Sequence, residues 1–353
     1  METQKRSELV YLPDWSRDNP YQKLLYGEIG RAGIPCRGLV GKDFTFGWLF
    51  GNRSSCRFIH LHWLFGVYDP TREGLSSKLA VLFLLKLIFA RLLGYRIVWT
   101  VHNFVSHEPT NIKLELLVRK AVARLAHTVI AHCNHAKKLI VDNWKVSPEK
   151  VAVIPHGSYV GYYPNTVSRE EARQNLGIGE EEFVYLFFGM LRGYKGIKPL
   201  VQSFKEIREL DNKVRLVIAG KPFTDEIRNE IEEMAAGDRI SLFLEYIPDA
   251  EVQMYFNACD IVVLPYQNVL TSGSAILAIS FRRLVIVPAI GCMTELIGES
   301  LGVAYEDSGL ASAMTALKKE KSVNEKAFDD AIVSMSWERI SSEQYVPLLK
   351  KIE

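Results

Sequence analysis

Short apolar runs alternate with amphipathic segments along most of the chain. Residues 9–12, 96–101 and 151–155 are apolar and rich in β-branched or aromatic side chains, as the strands of a buried parallel sheet are. Between such runs, residues 134–144 carry their apolar side chains at helical spacing. A strand followed by a helix, several times over, predicts an α/β chain with parallel sheets and right-handed crossovers.

The second half of the chain repeats this order, with predicted strands at residues 214–220, 240–246, 260–264 and 284–288. With 353 residues, the chain is about twice as long as a typical domain. We therefore expect two domains of the same plan, at residues 1–160 and 170–335. The amphipathic residues 336–353 are expected to form a helix that returns to the first domain.

One segment of the second half combines a buried strand with fixed positive charge. The apolar residues 185–188 end at Gly189, and the next loop carries Arg192 and Lys195 before a helix begins. Open α/β sheets bind ligands at the carboxyl ends of their strands, which is where this loop follows its strand. Two cations there suit a phosphate or diphosphate, although a solvated loop with two surface cations is an equally simple interpretation.

A second anion site is predicted further along the chain, where Ser272, Gly273 and Ser274 open a helix over residues 275–281. Small residues leave the first backbone N–H groups of the helix accessible, and the helix dipole adds positive potential. Capping of the helix by Ser272 is compatible with this role.

Titratable groups are concentrated after the predicted strand at residues 96–101. His102 comes first, and Glu108 follows in a loop that also holds Asn103 and Ser106. His102 or Glu108 could act as a general base or hold a substrate hydroxyl. The alternative is that Asn103 or Ser106 caps the helix predicted at residues 113–126. We favour function, because several such groups cluster at an edge where ligands bind.

Two earlier strand ends carry weaker signals. Asp14 and Asn19 follow the first strand and could meet a ligand, but turn and capping roles explain them equally well. His60 and His62 lie on the same side of a strand at residues 58–63. No third ligand follows at a useful spacing, so no metal site is expected.

The first half is basic, since residues 71–150 hold thirteen Lys or Arg against five Asp or Glu. An anionic membrane surface or a phosphorylated substrate would explain this, whereas no recognition motif supports nucleic acid. Within it, residues 79–93 are the most hydrophobic segment, too short to span a bilayer and interrupted by Lys86 and Arg91. This segment is either a buried crossover helix or a helix that lies on a membrane surface, and its periodicity does not decide between them.

Composition sets the broad class and the expected compartment. Hydrophobic residues make up 48% of the chain and charged residues 24%, as in ordinary soluble proteins. The five cysteines are scattered without a C-x-x-C spacing, which argues for a reducing compartment and against a zinc site. The first residues are polar and lack the apolar core of a signal peptide. We expect a cytoplasmic protein, peripheral at the inner face of the plasma membrane if the segment at residues 79–93 faces lipid.

Taken together, these segments resemble a GT-B glycosyltransferase of the large family 4 kind, over nearly all of the chain. The second half carries the resemblance in FFGMLRGYKGIKPLVQSF, LVIAG, YIPDAEVQMYFNACDIVVLPY and TSGSAILAISFRRLVIVP. The first half carries it in the HW strand, in TVHN followed by HE, and in VIPHG. The resemblance implies two Rossmann-like domains whose parallel sheets face a central cleft. It also implies a nucleotide-sugar on the second domain and the acceptor on the first.

The family pattern carries over to individual residues. The resemblance implies a donor site formed by the diphosphate cations Arg192 and Lys195, by the phosphate-binding helix start Ser272, Gly273 and Ser274, and by Tyr246 and Ile247 beside the nucleobase. In the first half, His102 matches the histidine that reaches the transferred sugar. Glu108 is the second catalytic candidate, and the acceptor is expected at Asp14, Asn19 and His62.

The sequence departs from the common family pattern at one point. That pattern has two glutamates separated by seven residues around the phosphate-binding helix, in E-G-F-G followed by E-A. Val269 and Leu277 stand at the corresponding positions here. Branches that read S-G-S or similar at this loop exist within the fold, so the departure bears on how the donor's ribose and sugar hydroxyls are held.

The expected reaction transfers a sugar from a UDP- or GDP-sugar to a hydroxyl of a glycan or lipid-linked acceptor, as in bacterial polysaccharide or glycolipid synthesis. No D-x-D motif follows a strand, so we expect no metal and no cofactor. If the reaction inverts, Glu108 or His102 is the general base; if it retains, His102 holds the sugar. The alternatives are a catalytically inactive homologue that acts as a partner subunit, a nucleotide-sugar epimerase, and a non-catalytic sugar-binding protein.

Overall fold

The computed structural model describes residues 8–68, 76–106, 111–237, 239–307, 309–320 and 323–353. The chain divides into two compact units. The first unit comprises Met1–Gly157 and Ser334–Glu353, and the second comprises Ser158–Val333. Each unit contains a six-stranded parallel sheet flanked by helices, which confirms the predicted α/β class with two parallel sheets.

The first unit contains strands β1 (Glu8–Leu12), β2 (Cys36–Gly38), β3 (Cys56–Leu61), β4 (Arg96–Thr100), β5 (Thr128–Ala131) and β6 (Val151–Val153). Its helices before the second unit are α1 (Pro20–Arg31), α2 (Phe46–Asn52), α3 (Phe65–Tyr68), α4 (Ser77–Leu92), α5 (Ile112–Leu125) and α6 (Asn134–Trp144). The strands are parallel and ordered β2-β1-β3-β4-β5-β6. The direction of succession therefore changes between β1 and β3, which is where open sheets bind ligands.

The second unit contains strands β7 (Phe183–Phe188), β8 (Val214–Ala219), β9 (Ile240–Phe243), β10 (Ile261–Val263), β11 (Leu284–Pro288) and β12 (Gly302–Tyr305). Its helices are α7 (Arg169–Asn175), α8 (Ile197–Leu210), α9 (Asp225–Ala235), α10 (Val252–Ala258), α11 (Gly273–Ser280), α12 (Met293–Ile297), α13 (Leu310–Glu320) and all but the last residue of α14 (Glu325–Ser334). These strands are parallel and ordered β12-β11-β10-β7-β8-β9. Succession changes direction between β7 and β10, as in a Rossmann sheet.

Strand β7 and helix α8 show how the sequence builds the second unit. Five of the six residues in β7 (FVYLFF) are buried, because a central parallel strand is covered on both faces. Helix α8 buries Leu200, Val201, Phe204 and Ile207, a single stripe at helical spacing, and leaves its charged residues in solvent. The stripe holds the helix against the sheet and fixes the loop between them.

The end of the chain completes the first unit. After α14 (Glu325–Ser334), the chain forms α15 (Trp337–Ile340), a π-helical turn at Ser341–Tyr345, and α16 (Val346–Ile352). Ile340, Tyr345 and Leu349 are buried in one core cluster with Leu25 and Ile29 of α1. The C-terminal residues therefore pack as part of the first unit, whose core they help to close.

Candidate active site

The loops that follow β7 and β10 meet at the carboxyl edge of the second sheet. Lys195 lies in a short 3-10 turn after β7, and its ammonium nitrogen is 4.0 Å from the centroid of the Tyr266 ring, which follows β10. Gly196 next to it has a φ of +72°, and a Cβ added there would overlap the carbonyl oxygen of Pro265. The left-handed backbone and the close approach both require glycine at this position. The ammonium group of Lys195 is thus held at the point between β7 and β10 where the strand order changes direction.

Helix α11 begins at the same edge and faces the same loops. Ser272 caps it, since its Oγ accepts a hydrogen bond from the backbone N–H of Ala275 at 3.2 Å. The Ser272 hydroxyl also lies 3.4 Å from that of Tyr266. Ser274 lies close to the end of β7, because a Cβ added at Gly189 would be 3.1 Å from its Oγ. The predicted helix start and the predicted lysine therefore come together at one strand edge.

The positive charge of this cluster affects the pKa of the Tyr266 hydroxyl. Its burial raises the pKa, but Lys195 and the hydroxyls of Ser272 and Ser274 outweigh burial, so that the pKa of Tyr266 lies below its ordinary value of 10.0. A side chain whose ionised form is stabilised in this way reports positive potential at the site. The same potential would stabilise a phosphate.

The other predicted donor residues lie along the same sheet edge but apart from this cluster. The Arg192 guanidinium stacks on the Phe223 ring after β8, with its carbon 3.7 Å from the ring centroid. Tyr246 and Ile247 follow β9, the first with 69% of its surface exposed and the second buried. Since neighbouring strands are about 4.8 Å apart, the ends of β7 and β9 are roughly 10 Å apart.

Both positions at which the family glutamates are missing are filled by apolar side chains. Val269 precedes α11 and Leu277 lies within it, and both are buried. Neither can accept a hydrogen bond from a ribose or sugar hydroxyl. Val269 and Leu277 therefore cannot take the role that the resemblance assigns to the family glutamates.

In the first unit, Asp14 and Asn19 have local structural roles. Asp14 Oδ1 accepts hydrogen bonds from the backbone N–H and the hydroxyl of Ser16, at 3.0 and 2.7 Å. Asn19 caps α1, accepting from the N–H of Tyr21 at 3.0 Å. Both lie after β1, next to the change in strand order, and each is only partly buried. They frame that edge, and whether they also bind the acceptor stays a prediction.

A row of histidines runs along the carboxyl edge of the first sheet. His60 is the last residue but one of β3, and His62 follows that strand. His102, His132 and His156 follow β4, β5 and β6. The first four are at most 8% exposed. His62 Nδ1 is 2.9 Å from His102 Nε2, and His102 Nδ1 is 3.4 Å from His132 Nε2. Two predicted site residues, His62 and His102, are therefore in direct contact.

These rings are neutral at physiological pH. Burial lowers the pKa of His60 and His156 to about 3 and that of His132 to about 4. Burial also holds the pKa of His62 and His102 well below the ordinary value of 6.5, and repulsion between neighbouring rings adds to the effect. A ring that resists protonation so strongly is a weak general base at neutral pH.

A buried ion pair on α5 is hydrogen-bonded to the loop that begins at His102. Glu115 and Arg119 are bonded at 2.6 Å, and each side chain is about one-twentieth exposed. Glu115 also accepts from the backbone N–H and hydroxyl of Ser106, and Arg119 donates to the carbonyl of Asn103. Helix α5 is capped by Asn111, so neither Asn103 nor Ser106 caps it. Glu108 lies outside the described residues.

Sequence reasoning missed Tyr266, His132 and the Glu115–Arg119 pair as parts of these edges. A signal for His132 was present, because a histidine follows each of β4, β5 and β6. No comparable signal exists for the ion pair, whose i,i+4 spacing is common on exposed helices. Among the residues that the structure describes, no group of three or more His, Cys, Asp or Glu has the geometry to hold a metal ion.

Two family models match the chain, and together they cover more than half of it. The model for glycosyl transferases group 1 matches residues 168–327, and the model for glycosyltransferase family 4 matches residues 77–158. A curated relative, the GDP-mannose:glycolipid 4-beta-D-mannosyltransferase of Xanthomonas campestris pv. campestris, is 27% identical over 301 residues, which is 83% of this chain and 80% of the relative.

Solved structures show the same architecture. Sucrose-phosphate synthase from Thermosynechococcus elongatus superposes with a TM-score of 0.76 at 16% identity, covering 99% of each chain. HepE from Anabaena in complex with UDP gives a TM-score of 0.72 at 15% identity, over 98% of this chain and 100% of that one. At such identities these likenesses establish the fold.

The fold, the positively charged site at the strand edge and the family matches together define a nucleotide-sugar-dependent transferase. The chain is a glycosyltransferase of the GT-B fold, like the family 4 enzymes that these models describe. The resemblance read from its sequence motifs is therefore confirmed.

Proposed function

We propose that this enzyme transfers mannose from GDP-mannose to a hydroxyl of a lipid-linked glycan. The main support for the donor site is that Lys195, Tyr266 and the start of α11 lie together. They do so between β7 and β10, where the strand order changes direction. The nucleotide and sugar are suggested by the mannosyltransferase relative, which matches four-fifths of its own length to this chain. UDP-sugars remain the competing donor class in the test below.

The proposed chemistry depends on stabilising the departing nucleoside diphosphate. Lys195, Arg192 and the backbone N–H groups at Gly273 and Ser274 would offset the charge that develops on the leaving phosphate, without a metal. Charge that is already in place at the strand edge is effective because it needs no reorganisation during the reaction.

The name of the relative states a β-linked product. A β-mannoside made from an α-linked donor requires inversion at the sugar carbon, and inversion requires a general base for the acceptor hydroxyl. Of the two candidates, His102 has both ring nitrogens engaged and a depressed pKa. We therefore assign the base to Glu108 and a sugar-orienting role to His102.

A panel of nucleotides tests the donor assignment. GDP, UDP and ADP are titrated against the wild-type protein, Lys195→Ala and Lys198→Ala, with binding read by calorimetry and thermal shift. GDP should stabilise the wild type by about 2.7 kcal/mol at a hundredfold excess over its dissociation constant. The effect should be lost in Lys195→Ala and kept in Lys198→Ala, because Lys198 is an exposed cation three residues away on α8.

The outcomes separate the parts of the proposal. Stabilisation by UDP alone would overturn the GDP assignment and leave the site in place. No stabilisation by any nucleotide would overturn the site itself and favour the inactive-homologue alternative. Mannose transfer is then followed by mass spectrometry of a lipid-linked oligosaccharide acceptor, and Glu108→Gln should abolish it while GDP still binds.

We further propose that the enzyme works at an anionic membrane surface through α4. Ala80, Phe83, Leu87 and Ala90 form its buried stripe. A second stripe, formed by Val81, Leu85, Ile88 and Leu92, is apolar and 42–80% exposed. Helix α4 therefore packs on the first unit as a crossover helix through one stripe and exposes an apolar surface through the other.

The charges of α4 support contact with lipid headgroups. The helix carries Lys78, Lys86 and Arg91 and no acidic residue. Phe46 of α2, also exposed, lies against Phe89 of α4 with ring centroids 5.4 Å apart and extends the apolar surface. Such a helix suits shallow insertion into an interface rather than passage through it. In the described ranges, no helix combines the length and apolarity needed to cross a membrane.

A further inference from the structure

The buried histidines form one continuous hydrogen-bonded chain whose members each use both ring nitrogens. His132 Nδ1 is 2.9 Å from the carbonyl oxygen of Ile154, and His132 Nε2 faces His102 Nδ1. His102 Nε2 faces His62 Nδ1. The chain continues from His62 Nε2 to the hydroxyl of Tyr26.

Beyond Tyr26 the chain reaches the middle of the sheet. The Tyr26 hydroxyl is 2.9 Å from His60 Nδ1, and His60 Nε2 is 2.8 Å from the hydroxyl of Thr100. All of these groups belong to the first unit and all are at most 8% exposed. An unpaired donor or acceptor at any of these positions would therefore be costly.

The Ile154 carbonyl sets the direction of every bond in this chain. A carbonyl oxygen can only accept, so His132 must carry its proton on Nδ1 and present a lone pair on Nε2. A neutral ring has a single N–H, so His102 must donate from Nδ1 to His132 and accept at Nε2 from His62. By the same rule, Tyr26 donates to His62, His60 donates to Tyr26, and Thr100 donates to His60.

From this chain we propose that His132 is a positioning residue that holds His102 as a neutral ring with its proton on Nδ1. In that form His102 offers a hydrogen-bond donor to a hydroxyl oxygen of the substrate, and it cannot take the acceptor's proton. The link from His102 to His132 is 3.4 Å and the link from His62 to His102 is 2.9 Å. The substrate oxygen would share the Nδ1–H group of His102 with His132, at the longer and therefore weaker link, while the shorter link keeps the ring in place.

The ring is also held laterally, so the position of this donor is defined. The Trp63 ring stacks on one face of His102, with centroids 4.2 Å apart and planes 13° apart. Tyr21 meets the His102 ring edge-on, with centroids 4.9 Å apart. The inference rests on the proposed sugar-orienting role of His102 and adds its tautomer and the residue that fixes it.

The tautomer can be read directly by long-range ¹H–¹⁵N NMR on the full chain labelled with ¹⁵N-histidine, which has eight histidines. At pH 7.5 we expect His60, His62, His102 and His132 all to be neutral with the proton on Nδ1, whereas free histidine favours Nε2. Each resonance is assigned by its loss in a single substitution to Gln. A His102 ring protonated on Nε2 would overturn the proposal whatever the donor is.

Two substitutions at His132 separate positioning from structure. His132→Gln keeps an acceptor for His102 and a donor for Ile154, whereas His132→Phe keeps only the bulk. We expect His132→Phe to lower kcat/KM for the donor at least tenfold and to scramble the His102 tautomer, and His132→Gln to restore most of both. A cooperative urea transition in tryptophan fluorescence, expected in both variants, shows that the first unit is folded, because all six tryptophans lie there. GDP binding to the second unit should be unchanged in both. Equal loss in the two variants, or kcat/KM within twofold of wild type in His132→Phe, would overturn the proposal.

GDP binding also distinguishes the two proposals. If GDP fails to bind the wild-type protein, the proposed donor is wrong, and the NMR result still decides the tautomer. If GDP binds and the NMR spectrum shows the other tautomer, the proposed function stands and this inference fails.

Discussion

The ammonium group of Lys195 lies over the ring of Tyr266, 4.0 Å from its centroid, although the two residues follow different strands. The contact exists because β7 and β10 are neighbours in the sheet. A buried aromatic ring holds the cation in place, and the Tyr266 hydroxyl turns toward Ser272 at the start of α11. One tyrosine thus links the two parts of the sequence that predict an anion site.

The first prediction separates the hydroxyl of Tyr266 from its ring. Tyr266→Phe keeps the platform under Lys195, so the affinity for GDP should fall by only about 3- to 10-fold, the net value of one hydrogen bond. Tyr266→Ala also removes the platform, and the loss should exceed that of Tyr266→Phe. Calorimetric titration measures both constants. Equal affinities for the two variants would contradict the role of the ring.

A second prediction concerns Gly196, which allows the lysine loop to approach Pro265. Gly196→Ala should destabilise the second unit by about 1–3 kcal/mol and weaken GDP binding, because φ is +72° and the added methyl overlaps a carbonyl oxygen. Gly193→Ala is the matched control in the same loop, since a Cβ there meets nothing within 4 Å. Urea unfolding and GDP titration of both variants provide the test, and similar losses in the two would contradict it.

Periodicity predicted the two parallel sheets, because buried parallel strands are short apolar runs and their helices keep one apolar stripe. The contacts of the site depend on the order of the strands, which periodicity does not contain. Lys195 and Tyr266 meet only because β7 lies beside β10, and His62 meets His102 only because β3 lies beside β4.

Local roles were harder to predict where several residues could fill the same position. Asn103, Ser106 and Asn111 are all good capping residues, and the sequence does not show which of them begins α5. In the structure Asn111 caps the helix, while Ser106 is bound by the buried carboxylate of Glu115. The burial of Glu115 and Arg119 depends on tertiary packing, so an exposed i,i+4 pair was the natural expectation from sequence.

The third prediction concerns that buried ion pair. Arg119→Leu leaves the Glu115 carboxylate buried without its partner and should cost about 3–5 kcal/mol of stability. The double variant Glu115→Leu/Arg119→Leu removes both charges and should cost less than the sum of its two single variants. Arg339→Ala breaks an exposed i,i+4 pair with Glu343 in the same unit and should cost less than about 0.5 kcal/mol.

All six tryptophans lie in the first unit, so their fluorescence follows its unfolding in urea. Additive losses at Glu115 and Arg119 would show that the two side chains do not act as a pair. If Arg119→Leu costs almost no stability, the Glu115 carboxylate is not left as a buried charge without a partner.

A fourth prediction follows from the histidine row. The pKa values of His60, His156 and His132 are about 3, 3 and 4 in the folded chain, against 6.5 when exposed. Below pH 6.5 the unfolded chain therefore binds protons that the folded chain does not, so the free energy of unfolding falls as pH falls. Each such histidine contributes up to about 1.4 kcal/mol per pH unit between its two pKa values.

The groups that face the histidine row include the rings themselves, Tyr21, Tyr26, Tyr345, Trp63, Trp337 and the hydroxyl of Thr100. Urea unfolding of the first unit at pH 7.0, 6.0 and 5.5 should show a steep loss of stability. His156→Gln should reduce that slope by about 1 kcal/mol per pH unit. Equal slopes for wild type and His156→Gln would contradict the prediction.

The last prediction tests the exposed apolar stripe of α4. The wild-type protein should sediment with phosphatidylcholine vesicles that contain phosphatidylglycerol, because the stripe inserts shallowly while Lys78, Lys86 and Arg91 meet anionic headgroups. Leu85→Gln/Ile88→Gln removes two inserted side chains, each worth about 1.5 kcal/mol or more when buried, and should lower the partition constant by at least tenfold.

Leu210→Gln is the matched control, since Leu210 is an apolar residue that is 90% exposed on a helix of the second unit. It should bind vesicles like the wild type. Lys78→Gln/Lys86→Gln should lose the preference for phosphatidylglycerol by about 1 kcal/mol per cation while keeping residual binding to neutral vesicles. If the stripe variant and Leu210→Gln bind equally well, α4 is not the lipid surface, and its exposed leucines must be covered by something other than a membrane.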